Sequence, residues 1–229
     1  FDRQKNFVAD ASHELKTPLA ILNANLSVLA ENGTESVASQ DQWISAMQVQ
    51  ITRMNGLIND MLTLAKLDHD QDAIPTRAVD FSRLTTGCLL SFEAVAYEKG
   101  VEIRSRISEH LMVNGSPERF SRLVDILLDN AVKHTPSGGI VEVVLSREKN
   151  HAVLSVRNSG EEISPDALPH VFDRFYRADS ARSRETGGYG LGLAIAKSIV
   201  ENAHGKISAE SADNHTTFSV ELPIYAEAH

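Results

Sequence analysis

Between Ile44 and Ala65 an apolar residue recurs at alternating steps of three and four: Ile44, Met47, Ile51, Met54, Ile58, Met61, Ala65. That period excludes a strand, whose faces alternate every two residues, and demands a helix with one continuous seam. A seam this regular belongs to a coiled coil or a four-helix bundle. A looser stripe precedes it at Phe7, Ala11, Leu15, Leu19, Leu22, Leu26 and Leu29, and Asn32-Gly33 stops it. Residues 1–68 are therefore expected to form a helical hairpin with arms about 40 Å long. Two helices alone bury a single seam. Leu57, Leu62 and Leu64 widen the second apolar face, and this surplus predicts pairing of two copies into a four-helix bundle.

Residues 69–80 lose the periodicity and carry Pro75, which predicts a linker. From residue 81 the patterns mix. Helices are expected over 81–99, closed by Gly100, over 117–134 with Ser116 as N-cap, and over 191–203. Strands are expected over 101–107, 140–147, 151–157, 206–211 and 216–223, with a long irregular stretch over 158–190. Residues 81–225 thus predict an α/β sandwich, one mixed sheet covered on one face by helices. The 229 residues hold 22 Lys+Arg against 31 Asp+Glu, a net charge of −9. That balance argues against nucleic acid or an anionic membrane surface as the main partner. No apolar run reaches the roughly 18 residues of a membrane span. Cys88 is the only cysteine, so no internal disulfide exists. The chain opens at Phe1, inside a predicted helix, as a piece of something longer does.

Four places carry chemistry. His13 lies two residues from the seam positions Ala11 and Leu15, about 200° round the helix from each, and so points to solvent. Glu14 is adjacent, Thr17 shares its face, and Pro18 removes a helix hydrogen bond just beyond. A surface histidine is otherwise ordinary. Asn130 follows Leu123 by one heptad and falls on the apolar face of its helix, where an amide must be hydrogen-bonded or coordinate something. Lys133 and His134 follow at the helix end, within reach of an anion. Gly187-Gly-Tyr-Gly-Leu-Gly192 runs straight into a helix, a place for phosphate or a hinge. Arg174, Arg177, Arg182 and Arg184 precede it and could pair with phosphates or form a solvated basic loop. Asn158-Ser-Gly160 after a strand could read a base edge or make a plain turn. The histidines show no zinc-ligand spacing.

Together, and in this order, these segments resemble the core of a bacterial two-component sensor histidine kinase. Phe7 to Leu19 resembles the H box, Leu127 to Thr135 the N box, Val171 to Arg177 the F box and Gly188 to Leu193 the G2 box. The resemblance implies a dimerisation and phosphotransfer domain over 1–68 and a Bergerat-type ATP-binding domain over 81–225. It implies Mg²⁺ and ATP as cofactors, with His13 attacking the γ-phosphate and Glu14 orienting or deprotonating it. Asn130 matches the Mg²⁺ ligand, and Lys133 and His134 match phosphate and ribose contacts. Asn158 and Gly160 match the adenine-reading turn. Arg177 with Gly188, Gly190, Leu191 and Gly192 matches the lid over the phosphates. The phosphoryl group would pass to an aspartate on a response regulator receiver domain, and Thr17 would position water for the reverse phosphatase reaction. Any membrane anchor would lie in segments absent from this chain.

This sequence departs from the family at Ile126, where a second Asn is usual, at Asn158 for Asp, at Glu162 for a glycine and at Tyr189 for a small hydroxyl residue. The departures leave two alternatives beside the kinase: a phosphatase-biased enzyme and a catalytically degenerate regulatory module.

Overall fold

The computed structural model describes residues 2–34, 36–69, 77–177 and 188–225, and side chains from residue 9 onward. Arg182, Arg184, Gly187 and the expected linker positions 70–76 lie outside the described residues. Helix α1 spans Asp2–Glu31 and runs on through Pro18. After a short 3-10 turn, α2 spans Asp41–His69 and packs antiparallel to it. Neither helix is long and apolar enough to cross a membrane, nor is any other among the described residues.

The seam divides differently from the expectation. Along α1 the buried positions are Ala11, Pro18 and Asn25, while Leu19 and Leu26 are exposed. Along α2, Ile51 and Ile58 are also exposed, whereas Leu57, Leu64 and Leu67 are fully covered. The covering comes from the second unit of the same chain, whose core these leucines join. Part of the apolar surplus assigned to a second copy is therefore consumed within one chain. Leu19, Leu26, Val49, Ile51, Ile58 and Leu62 remain as the uncovered face.

The second unit begins four residues earlier than the linker reading allowed. Arg77–Asp80 forms β1, antiparallel to β3 at Met112–Gly115. Neither strand has enough alternation to show in the sequence; the pairing itself makes them. Helix α3 (Phe81–Lys99) starts where Asp80 accepts from the Arg83 N–H and ends on Gly100 at φ 71°. Strand β2 (Glu102–Ile107) leads to α4 (Pro117–His134), then β4 (Ile140–Glu148) and β5 (His151–Ser159). Helix α5 (Gly192–Asn202), β6 (Lys206–Ala212) and β7 (His215–Pro223) complete it. The main sheet has the order β2-β4-β5-β7-β6, parallel only at β2–β4. Alternate residues of its three central strands, such as Val143, Leu154 and Val220, are fully buried under the helices.

Helix α4 supplies the opposite wall with Phe120, Leu123, Val124, Leu127 and Leu128. Its start is set by Ser116, whose hydroxyl accepts from the Arg119 N–H, and by Pro117 at the first helical position. Ser116→Ala should lower stability by about 1 kcal/mol in urea unfolding, with an unchanged denaturant slope.

Cys88 joins the packing of α3 on α4, its sulfur 3.5 Å from the Ser121 hydroxyl. Burial pushes the thiol up to about 11, opposed by the Ser121 hydrogen bond. The native chain should therefore resist a thiol reagent at pH 8 and react only on unfolding. Prompt labelling of the folded protein would contradict this packing.

Candidate active site

The C-terminal turn of α4 presents Asn130, Lys133 and His134 into a cleft of about 1480 Å³. Helix ends leave carbonyls without partners. Here Lys99, the last residue of α3, supplies them: its Nζ donates to the carbonyls of Val132 at 2.7 Å and Lys133 at 2.5 Å. Loss of solvent and the Lys133 charge hold the Lys99 amine below its usual range. His134 is also lowered, first by loss of water around the ring and then by the charges of Lys99 and Lys133. The shift favours the neutral ring, which offers one donor and one acceptor, and the residue as a whole is exposed in the cleft. Lys133 is held by Asp129 at 2.7 Å, one turn back.

Ile126 is 8% exposed and belongs to the core, as its position on the stripe predicts. A Cβ placed on Gly192 would lie 3.5 Å from its Cγ2, so this isoleucine packs under the start of α5. Asn158 is buried at the end of β5 and lines the same cleft. Its Nδ2 donates to the Ser159 carbonyl at 3.3 Å, which leaves Oδ1 to accept from a ligand. Gly160 stands at φ 151°, and a Cβ there would meet the His134 carbonyl oxygen at 2.7 Å. The turn after β5 is thereby pressed against the end of α4. Glu162, in place of a glycine, has a separate use: it accepts from the Asn214 N–H at 2.8 Å and ties this turn to the β6–β7 hairpin.

The F-box segment closes the far side. Phe172 stacks edge-on with Phe218 at 6.1 Å, and the Phe175 N–H donates to the Gly190 carbonyl at 2.9 Å. Gly190 has φ 71° and lies so close to residues 175 and 176 that no side chain fits. Arg177, Gly188, Tyr189, Gly190 and Gly192 all line the cleft. Leu191 does not: it is fully buried, since its side chain seals the core beneath α5. Only its backbone is available to a ligand. Arg174, read as a possible phosphate partner, is engaged by Asp68 of α2 at 2.7 and 3.0 Å.

His13 and Thr17 are exposed on α1 and Glu14 is half-buried. None of the three lines the cleft. Of the three, Glu14 adds its charge to the surroundings of the Tyr189 phenol in the glycine loop. That phenol is raised above its usual range by loss of solvent, with Arg53 and Arg177 opposing and Glu14 adding. The hairpin is docked by buried Leu57, Leu64 and Leu67, by Asn202 Nδ2 donating to the Leu67 carbonyl at 3.1 Å, and by Arg122–Asp60 at 2.6 Å. Each leucine is worth about 1.5–3 kcal/mol and each exposed ion pair about 0.2–1 kcal/mol, so apolar contact dominates the docking. Lys99, Asp129 and Arg53 were not singled out by sequence reasoning. Lys99 had a signal, a basic residue in the last turn of a helix, but its target is on another helix.

Residues 3–70 match the family model His Kinase A (phospho-acceptor) domain, and residues 115–226 match that of the Histidine kinase-, DNA gyrase B-, and HSP90-like ATPase. The sensor protein DltS of Streptococcus agalactiae is 33% identical over 222 residues, covering 97% of this chain and 55% of DltS. The chain thus spans about half the length of such curated relatives. Among solved structures, the histidine kinase ThkA in complex with the response regulator protein TrrA superimposes with a TM-score of 0.77 at 20% identity, over 98% of this chain and 63% of that one. Full-length ShkA in complex with AMPPNP gives 0.71 at 24% identity, over 98% and 47%.

Proposed function

Because the chain belongs to the sensor histidine kinase family, we propose that it transfers the γ-phosphoryl group of ATP to His13 and then to an aspartate of a response regulator. The supporting observation is the single cleft that gathers Asn130, Lys133, His134, Asn158 and the Gly188–Gly192 loop beside a hairpin bearing an exposed histidine. Its donors suit a nucleotide. Buried Asn158 Oδ1 accepts from the adenine amino group, and Lys133 and Arg177 face polyphosphate, with the N–H groups that open α5. Neutral His134 accepts or donates at the ribose. Asn130 offers one carbonyl oxygen, which fits Mg²⁺, an ion that keeps several waters and takes its remaining ligands from phosphates. When bound there, the ion would neutralise charge on the phosphate oxygens.

In the step itself, a nitrogen of His13 forms the bond to phosphorus while the bond to the β-phosphate bridging oxygen breaks, and ADP leaves. Glu14 takes the ring proton. Most of the acceleration comes from alignment and charge neutralisation. Thr17, exposed one turn from His13, is placed in our reading to orient water in the reverse phosphatase reaction. We take 1–69 as the phosphotransfer unit and 77–225 as the ATP-binding unit. The uncovered leucines, isoleucines and valine of α1 and α2 are the faces that pair two copies into a bundle. In this reading a receiver domain docks beside the exposed His13; that ThkA, of similar fold, was solved in complex with a response regulator supports a partner of this class. No role in binding nucleic acid is proposed for a chain of this acidity, and any membrane anchor belongs to segments outside it. Calorimetry with Mg²⁺-ATP tests the site: the kinase requires saturable binding, and no heat of binding would leave the regulatory-module reading.

A further inference from the structure

The wall of the cleft is not drawn from the ATP-binding unit alone. Thr52, Arg53, Gly56 and Asp60 of α2 line it beside Gly188, Tyr189 and Gly190. Arg53 stands one turn before Leu57, on the face of α2 that the second unit covers. Gly56 adds no side chain to that wall, and a Cβ there would meet nothing within 4 Å. Several other charged groups of the cleft are engaged. Asp60 holds Arg122, Asp129 holds Lys133, and Glu162 caps Asn214. Arg53 itself has no hydrogen-bond or ion-pair partner among the described residues, yet it is half-buried and its charge reaches the Tyr189 phenol. A guanidinium with no anion of its own chain at contact distance is open to an anionic ligand. It is also the group best shaped to grip phosphate.

We propose that Arg53 is a ligand of the terminal phosphate of ATP, contributed by the phosphotransfer hairpin to the nucleotide cleft of its own chain. This rests on the reading of the cleft as an ATP site. It makes the hairpin sensitive to which nucleotide is present. ATP bridges the two units through Arg53, and ADP, which lacks the terminal phosphate, does not. Docking of the hairpin is then tighter with ATP than with ADP, because a ligand shifts an equilibrium only by its differential contacts with the two states.

The test is calorimetric titration of the full 229-residue chain with a non-hydrolysable ATP analogue and with ADP, both with Mg²⁺. Arg53→Ala should raise Kd for the analogue about tenfold, the loss of one charge-assisted contact, and leave Kd for ADP within about threefold. Arg53→Lys should recover much of the analogue's affinity, since it keeps the charge. Equal losses for both nucleotides would overturn the proposal, because the contact would then not be to the terminal phosphate. Unchanged affinity for both would overturn it too. Failure of the unsubstituted chain to bind either nucleotide would instead remove the underlying reading of the cleft. Thermal melts of both variants check that the fold is intact.

Discussion

Incubated with γ-labelled ATP and Mg²⁺, the unsubstituted chain should acquire acid-labile label and the His13→Gln variant none. The loss should be several orders of magnitude, the cost of removing a nucleophile. Glutamine keeps the helix and a similar volume, and His13 is exposed, so the fold should be unaffected. Phosphorus on nitrogen is acid-labile and alkali-stable, whereas a phosphoserine or phosphothreonine shows the reverse, so the chemistry of the label identifies the acceptor class. Label persisting in the variant would mean that another residue accepts the phosphoryl group. Absence of label from both chains, with nucleotide binding intact, would favour the phosphatase-biased alternative and point to Ile126, the apolar residue where a second amide is usual.

The second large effect is expected at Gly190. Its φ of 71° is one that side chains rarely adopt, and a Cβ would fall 2.6 Å from the Tyr176 carbonyl oxygen and 2.8 Å from the Phe175 carbonyl carbon. Gly190→Ala must therefore push the glycine loop off the F-box segment and break the Phe175 N–H to Gly190 carbonyl bond. Backbone strain alone costs about 1–3 kcal/mol. We expect nucleotide affinity to fall at least about tenfold by calorimetry, a loss of about 1.4 kcal/mol. Gly188 supplies the contrast. Nothing lies within 4 Å of a Cβ built there, and its φ is not in the left-handed region. Gly188→Ala should bind nucleotide within about threefold of the unsubstituted chain. Equal damage at both positions would mean that general loop flexibility, and not the close approach at residue 190, governs binding.

These two sites differ in how legible they were. The exposure of His13 followed from helical phase relative to Ala11 and Leu15. The demand for glycine at 190 did not, because it comes from backbone 14 and 15 residues earlier in the chain. Leu191 shows the same limit. It sits between two glycines of the loop, yet its side chain points into the core, and no local pattern distinguishes it from a ligand-facing neighbour. Arg174 and Arg177 are three residues apart in one basic segment. Asp68 of α2 takes the first, while the second lines the cleft. That division depends on where the hairpin docks.

What the sequence by itself determined are the features whose causes are local. The three-and-four period required helices in the hairpin, the alternation of β4, β5 and β7 required half-buried strands, and Ser116-Pro117 and Gly100 marked helix ends through capping and backbone conformation. The ordered segments around His13, Asn130, Phe172 and Gly190 carried the family resemblance. Only the tertiary structure decided how the apolar faces were shared. A heptad pattern states that Leu57, Leu64, Ile51 and Ile58 are apolar, but not what covers them. The leucines are buried by the chain's own second unit and the isoleucines remain exposed. The strands β1 and β3 likewise exist because each offers the other its backbone hydrogen bonds, across a separation of about 35 residues. Lys99 capping α4, and Arg53 entering a cleft built mainly by another unit, belong to the same class. Burial and partnership are properties of pairs of surfaces, and a sequence states only one member of each pair.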